Sequence, residues 1–277
     1  MKKIKTINPF NGKLIAEYEQ HSKKEISQIL DKAQVTFEEW KKEEISERVA
    51  LLNNLSDLLI RKKAELAQLI TTEMGKPIKQ SVAEIEKCSS VCEFYAINAD
   101  DFLSDELIDT EAQESFISYD PLGCILAIMP WNFPFWQVFR FAAPTLTAGN
   151  TAILKHASNT TGCALVIQDL FIEAGYPEGC FQTVLTDHKS IENIIENDII
   201  KAVTLTGSEK AGRKIAAIAG QNLKKTVLEL GGNNACIIWE DADLKTYIDT
   251  MVNARMLNAG QSCIAAKRFI VVDAIYD

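Results

Sequence analysis

One cysteine, Cys263, is distinguished from the others by its neighbours. Gly260, Gln261 and Ser262 precede it and form a polar, bendable approach in which a thiolate can be exposed. An exposed thiolate is a strong nucleophile that can form a covalent intermediate and later leave. A cysteine taken at random is more often a small buried hydrophobe. The prediction that Cys263 is a nucleophile therefore depends on this sequence context.

Glu229 and Asn132 are polar residues in segments that favour turns. Glu229 ends an apolar run shortly before Gly231 and Gly232, which let the backbone come close to a ligand. A carboxylate that is partly removed from water there can act as a general base, although most glutamates at turns are simply solvated. Asn132 precedes Pro134 by two residues, and by itself this pattern indicates only a turn.

A third segment could bind an anion. Gly207-Ser208-x-x-x-Gly212 opens a predicted helix directly after an apolar run. The N–H groups and the dipole at such a helix start favour a phosphate. The spacing alone is weak evidence, because a serine N-cap followed by a glycine is common.

These residues follow short apolar runs that alternate with segments of helical period from residue 115 onward. This alternation predicts βαβ units and a parallel sheet. Five runs are the candidate strands: Cys124–Met129, Thr151–Leu154, Phe181–Leu185, Ala202–Leu205 and Thr226–Leu228. Ligands bind beyond the carboxyl ends of parallel strands, so we expect the polar residues after these runs to meet at one edge.

Helices are predicted before the sheet, and a mixed segment after it. Ser22 to Glu25 forms a capping box for a first helix, and leucines from Leu51 to Ile70 predict a second that ends near Gly75. A third helix extends to about Phe102. After the sheet, the pattern predicts a strand at 235–239, a helix from Asp241, a loop around Cys263 and a last strand at 269–272.

Composition excludes several classes of protein. The 277 residues are 47% hydrophobic and 24% charged, as in ordinary globular chains. The net charge of −9 argues against nucleic acid as a partner, and polar residues interrupt the most apolar region, 121–154, so no membrane span is predicted. The three histidines lack metal-ligand spacing, so no metal site is predicted. An odd number of cysteines, seven, and no export signal favour the cytoplasm.

The chain resembles the aldehyde dehydrogenase superfamily in segments that follow the family's order: Pro130–Arg140, Lys155–Ala157, Gly207–Gly212, Glu229–Gly232 and Gly260–Phe269. The first, second and last are most similar to the succinate-semialdehyde dehydrogenase branch. The resemblance implies an α/β fold with a Rossmann-like parallel sheet and flanking helices. It also implies the beginning of a second, incomplete catalytic domain, with a boundary between residues 1–235 and 236–277.

The resemblance implies a role for each candidate catalytic residue. Cys263 would attack an aldehyde and pass through a thiohemiacetal to a thioester, which water activated by Glu229 would hydrolyse. The amide of Asn132 and the backbone N–H of Cys263 would stabilise the alkoxide. Arg140 lies eight residues after Asn132 and could bind the carboxylate of succinate semialdehyde, although an arginine on an amphipathic helix is more often solvated.

The same resemblance implies NADP or NAD as cofactor, bound by Trp131, Lys155, Gly207, Ser208, Gly212 and Leu230. Many members that prefer NAD have a glutamate three residues after this lysine, where it repels a 2′-phosphate. Ser158 stands there in this chain. We therefore expect that NADP is accepted.

Full-length members of the family continue well past the nucleophile, so we expect that the chain ending at Asp277 is a truncation without the C-terminal oligomerisation strands. Three interpretations stay open. The first is a hydrolytic aldehyde dehydrogenase. The second is a fragment that binds cofactor without turnover, or one half of a split enzyme with a complementing C-terminal polypeptide. The third is an acylating relative that uses coenzyme A, against which Glu229 argues.

Overall fold

The chain begins with a β-hairpin. The structure, a computed structural model, describes residues 2–276. Strands β1 (Lys3–Ile7) and β2 (Leu14–Glu19) pair antiparallel. Gly12, with a φ of 68°, supplies the left-handed residue that the connecting turn needs. The predicted extended segments around this turn are confirmed.

Four helices follow: α1 (Lys23–Trp40), α2 (Ile45–Arg61), α3 (Lys63–Met74) and α4 (Ile78–Leu103). Ser22 and Glu25 form the predicted capping box at the start of α1. The prediction of one helix through Leu51–Ile70 is wrong, because the chain breaks at Lys62 into α2 and α3. Neither glycine nor proline marks that break. Gly75 ends α3 in the left-handed conformation, as predicted.

The centre of the fold is a parallel sheet of five strands, β5 to β9. A short antiparallel pair, β3 (Glu106–Leu107) and β4 (Phe116–Ile117), precedes it. The central elements in chain order are β5 (Cys124–Met129), α5 (Trp136–Thr147), β6 (Thr151–His156), α6 (Thr161–Glu173), β7 (Phe181–Thr183), α7 (Ser190–Glu196), β8 (Ile200–Thr206), α8 (Glu209–Gln221) and β9 (Lys225–Glu229). The spatial order is β7-β6-β5-β8-β9. The predicted α/β fold with a Rossmann-like sheet is confirmed.

Apolar layers cover both faces of this sheet. Ala127 and Met129 of β5 point to the face covered by α5 and α6, with α2 to α4 outside them. Cys124 and Leu126 point to the other face, which α1, α7 and α8 cover. The strand order reverses between β5 and β8, so the loops after these two strands flank a crevice.

The last segment lies outside the five-stranded sheet. Strands β10 (Ala235–Ile238) and β11 (Arg268–Val271) form a parallel pair, with α9 (Leu244–Met256) between them in sequence. No residue of α9 is buried. The domain boundary between residues 235 and 236 stays a prediction. Within residues 2–276, no helix combines the length and the apolar character needed to cross a membrane.

Candidate active site

Four loops meet in a cavity of about 390 Å³ at the crevice between β5 and β8. They are the loops after β5, β8 and β9 and the loop that follows α9. Together they bring seven of the predicted residues to one place: Trp131, Asn132, Gly207, Ser208, Glu229, Leu230 and Cys263. The expected convergence at the carboxyl edge of the sheet is therefore seen for six of these residues, and Cys263, which follows α9, joins them from outside the sheet.

Cys263 is the most exposed of the seven cysteines; Cys236 is half-buried and the other five are buried. A tight turn between α9 and Cys263 brings the thiol to the cavity. Asn258, Ala259 and Gly260 have φ values of 56°, 54° and 76°. Asparagine and glycine accept this left-handed conformation more readily than alanine does, and Gln80 of α4 accepts the N–H of Ala259 at 3.1 Å.

Asn132 connects the loop after β5 to the cysteine loop. Its Nδ2 donates to the carbonyl of Gln261 at 2.7 Å, and Nδ2 of Asn258 donates to the carbonyl of Asn132 at 2.7 Å. An amide nitrogen carries two hydrogens. One N–H of Asn132 thus fixes the position of the cysteine loop, and the second has no acceptor among residues 2–276.

Glu84 of α4 anchors the segment after Asn132. One carboxylate oxygen accepts the backbone N–H groups of Phe135 at 2.8 Å and Trp136 at 3.0 Å, which begin α5. The other oxygen pairs with Lys76, and both side chains are buried. Desolvation lowers the pKa of Lys76, and the charge of Glu84 acts against that shift. Sequence reasoning missed this pair; the available signal was a glutamate on the apolar face of α4, one turn before Cys88.

His156 anchors the same loop from β6. Its Nε2 lies 2.9 Å from the carbonyl oxygen of Pro134, and its Nδ1 accepts the N–H of Ala157 at 2.8 Å. These partners require the neutral tautomer with hydrogen on Nε2. Burial lowers the pKa of His156 to about 4. The histidine is therefore a structural residue that acts as a neutral donor.

Glu229 and Arg140, predicted as base and as substrate ligand, contact each other. Oε1 of Glu229 lies 3.3 Å from Nη2 of Arg140, and the Glu229 side chain is 51% exposed. The partial removal of this carboxylate from water that the sequence suggested is therefore not seen in this structure. The backbone of Glu229 is fixed more firmly than its side chain, because Gly207 donates its N–H to the Glu229 carbonyl at 2.9 Å.

The glycine motif after β8 has a packing role that the sequence did not indicate. Ser208 caps α8 by accepting the N–H of Ala211 at 3.3 Å. A Cβ on Gly212 would lie 2.6 Å from Cδ2 of Leu230. Gly212 therefore makes room for Leu230, which in turn lines the cavity beside Cys263.

Lys155 and Ser158 lie apart from the cavity, at the carboxyl end of β6. Lys155 is 7% exposed, and desolvation lowers the pKa of its ammonium. Ser158 is exposed and begins a short 3-10 turn. Within residues 2–276, no group of three or more His, Cys, Asp or Glu side chains is arranged to hold a metal ion.

Comparison with known proteins shows which family this chain is similar to. The profile described as "Aldehyde dehydrogenase family" matches residues 1–277. The probable succinate-semialdehyde dehydrogenase [NADP(+)] of Synechocystis sp. is 52% identical over 268 residues, 97% of this chain and 59% of the relative. The succinate-semialdehyde dehydrogenase [NADP(+)] of Mycobacterium avium is 46% identical over 99% of this chain and 59% of the relative.

A solved structure agrees with these sequence relatives. Succinic semialdehyde dehydrogenase from Streptococcus pyogenes, in complex with NADP+, superimposes with a TM-score of 0.97 at 35% identity. The match covers 99% of this chain and 60% of that one. The chain thus spans about 60% of the length of the relatives it matches. It belongs to the aldehyde dehydrogenase family.

Proposed function

We propose that this chain supplies the nucleophile, the base and the cofactor-binding residues for oxidation of succinate semialdehyde to succinate with NADP or NAD. The observation that carries the proposal is the shared cavity, in which Cys263, Asn132 and Glu229 face one space. The names of the relatives in Synechocystis and Mycobacterium avium support the aldehyde and NADP.

The residues present fit a nicotinamide dinucleotide. Trp131 and Leu230 give the cavity apolar walls, and Gly207 and Ser208 stand at the start of α8, where the helix dipole favours a phosphate. At the end of β6, the buried Lys155 is followed three residues later by the exposed Ser158, which has a hydroxyl and not a carboxylate. A 2′-phosphate would therefore meet no like charge from residue 158.

In the proposed reaction, the Cys263 thiolate adds to the aldehyde carbon and the carbonyl oxygen becomes an alkoxide. That oxygen accepts hydrogen bonds from the Asn132 amide and the Cys263 backbone N–H; loss of one such donor typically costs about 2.7–4 kcal/mol in the transition state. The same carbon then loses a hydride, for which a bound nicotinamide would be the acceptor. A thioester on Cys263 remains.

Glu229 completes the cycle by accepting a proton from water. The resulting hydroxide adds to the thioester carbonyl, the carbon–sulfur bond breaks, and the acid leaves with the Cys263 thiolate restored. Glu229 pairs with Arg140 in this structure, and we expect its half-exposed carboxylate to leave this pair before the step. Arg140 is then available to the far carboxylate of the substrate.

The test is reduction of NADP and of NAD by the purified chain with succinate semialdehyde, with Cys263→Ala as the control. We expect reduction that depends on Cys263 and hydrolysis without coenzyme A. A requirement for coenzyme A would favour the acylating alternative. Reduction that persists in Cys263→Ala would overturn the proposed chemistry.

A second candidate function is cofactor binding without turnover, by a fragment or by one half of a split enzyme. The exposed apolar side chains of α9 favour it, because within residues 2–276 the helix that leads to the cysteine loop has no buried residue. Binding of NADP with no aldehyde-dependent reduction would support this alternative, and reduction restored by a complementing C-terminal polypeptide would identify the split enzyme.

A further inference from the structure

Cys263 also lines a second cavity of about 340 Å³, on the side of α4 and α5. Phe133 and Trp136 form apolar walls of this cavity, and the cationic residues Lys87 and Arg140 also line it. An aldehyde carbon held at Cys263 would thus have room for an aliphatic chain and for a charged far end. The second cavity is the space in which the proposed substrate would extend.

The charged side chains that line this cavity differ in whether an opposite charge is paired with them. The Glu84 carboxylate is occupied by Lys76 and by the two N–H groups that begin α5. Arg140 pairs with Glu229 at 3.3 Å. Lys87, in contrast, has no carboxylate within 4.0 Å among residues 2–276. Its ammonium is therefore the charge in this lining that a ligand could neutralise without breaking an ion pair.

Lys87 is also held in place. Its Nζ lies 3.8 Å from the ring centroid of Trp136, within the range of a cation–π interaction. The indole restricts the lysine rotamers, so less side-chain entropy remains to be lost when an anion binds. Because Trp136 itself lines the cavity, this contact keeps the ammonium beside the cavity wall.

We propose that Lys87 is a specificity-determining residue that selects aldehydes with a carboxylate at the far end. The inference rests on the proposed function and extends it. The ammonium pairs with the substrate carboxylate while Phe133 and Trp136 cover the methylene groups and Cys263 meets the carbonyl carbon. Arg140 assists once Glu229 has left it, so the two cations contribute at different stages. A neutral aldehyde of the same length gains nothing from Lys87.

A direct test uses two maleimides that react with Cys263 without any cofactor or turnover. In 3-maleimidopropionic acid a carboxylate lies a few bonds from the reacting carbon, and 3-maleimidopropionamide is its neutral analogue of similar size. The Cys263 thiolate adds to the ring double bond and solvent protonates the neighbouring carbon. Peptide mapping by mass spectrometry restricts the measured rates to Cys263.

We expect Lys87→Met to lower the ratio of the anionic to the neutral rate about two- to fivefold, the size of a partly exposed ion pair. Lys87→Arg should keep the ratio of the unchanged chain, and higher salt should reduce it. The matched control is Lys79→Met, an exposed lysine on the same helix outside the cavity lining. A purely structural contact with Trp136 would change both rates together and leave the ratio constant, which would overturn the proposal.

The two proposals fail separately. If the chain reduces NADP, Lys87→Met should lower kcat/KM for succinate semialdehyde but not for butanal. If the chain has no turnover, the maleimide ratio still decides the role of Lys87. An unchanged ratio in an active chain would reject the specificity role and leave the proposed chemistry standing.

Discussion

Ser158 is exposed at the carboxyl end of β6, three residues after the buried ammonium of Lys155. A hydroxyl at this position neither attracts nor repels a phosphate by charge. A carboxylate there would repel the phosphate. Two unit charges about 4 Å apart interact by about 1 kcal/mol in water and by about 4 kcal/mol near a protein surface. We therefore propose that the side chain at position 158 influences the choice between NADP and NAD.

Replacement of Ser158 by glutamate should therefore shift the cofactor preference towards NAD. We expect the ratio of NADP to NAD affinity to fall about tenfold or more, which corresponds to about 1.4 kcal/mol. Quenching of tryptophan fluorescence can measure both dissociation constants, since Trp131 lines the first cavity. Asn159→Glu places the same charge on the adjacent exposed residue and should leave the ratio nearly unchanged. Equal ratios in both variants would contradict the assignment.

Local sequence context was sufficient to single out some residues and not others. Cys263 could be found because its glycine and polar neighbours lie next to it in the chain, and the structure exposes its thiol. The contact of Gly212 with Leu230 and the pairing of Lys76 with Glu84 join separate segments. Such contacts depend on how elements pack, so the pattern around each residue did not reveal them.

At the scale of elements, predictions succeeded where the periodicity was undisturbed. The apolar run Cys124–Met129 coincides with β5 at both ends. Strand β6 extends two residues beyond its predicted end, because tertiary packing buries the polar Lys155 and His156. The break between α2 and α3 at Lys62 could not be predicted, since only a backbone rotation to φ −94° and ψ 5° separates them.

The start of α5 depends on the buried pair of Lys76 and Glu84. Glu84→Ala would leave the Lys76 charge unpaired and two N–H groups without an acceptor, so we expect a loss of about 3–5 kcal/mol in the free energy of unfolding. The double variant Lys76→Met with Glu84→Gln removes both charges and retains an amide oxygen as acceptor. Urea unfolding should show the double variant to be more stable than Glu84→Ala. The reverse order would show that the ion pair does not anchor this helix.

The contact between α8 and the residue after β9 can be tested with two glycines of one helix. Gly212→Ala should destabilise the chain by about 1 kcal/mol, because Leu230 must move away from the new Cβ. It should also weaken NADP binding, since Leu230 lines the cavity. Gly220→Ala has nothing within 4 Å of its Cβ and should stabilise the helix by about 0.5–1 kcal/mol. Similar effects of both changes on unfolding would exclude the packing role.

Over the whole molecule, the degree of packing differs between the two ends. The five-stranded sheet has buried apolar layers on both faces. In α9, the apolar side chains Leu244, Ile248, Val252 and Met256 recur every fourth residue and are exposed. Contiguous exposed apolar surface favours association, so we expect this face of α9 to promote self-association. The loop that carries Asn132 is attached to the well-packed end through Glu84 and His156.

The buried His156 should make the stability of the whole chain depend on pH. In the unfolded chain its pKa is near the ordinary 6.5, while burial lowers it to about 4 in the folded chain. Between these values the unfolded chain binds the extra proton, so stability is complete above about pH 6.5 and falls as the pH decreases towards 4. From pH 7 to pH 4.5, His156 alone should cost about 2 kcal/mol of the free energy of unfolding.

Urea unfolding at these two pH values measures the effect as a difference between variants. His156→Gln should be less stable than the unchanged chain at pH 7, because the contacts to Pro134 and Ala157 are lost, but its stability should fall less on acidification. His188→Gln alters an exposed histidine and should follow the pH dependence of the unchanged chain. If His156→Gln loses as much stability as the unchanged chain between pH 7 and 4.5, His156 is not held neutral in the folded chain. The carbonyl of Pro134 would then have no neutral imidazole N–H as its donor.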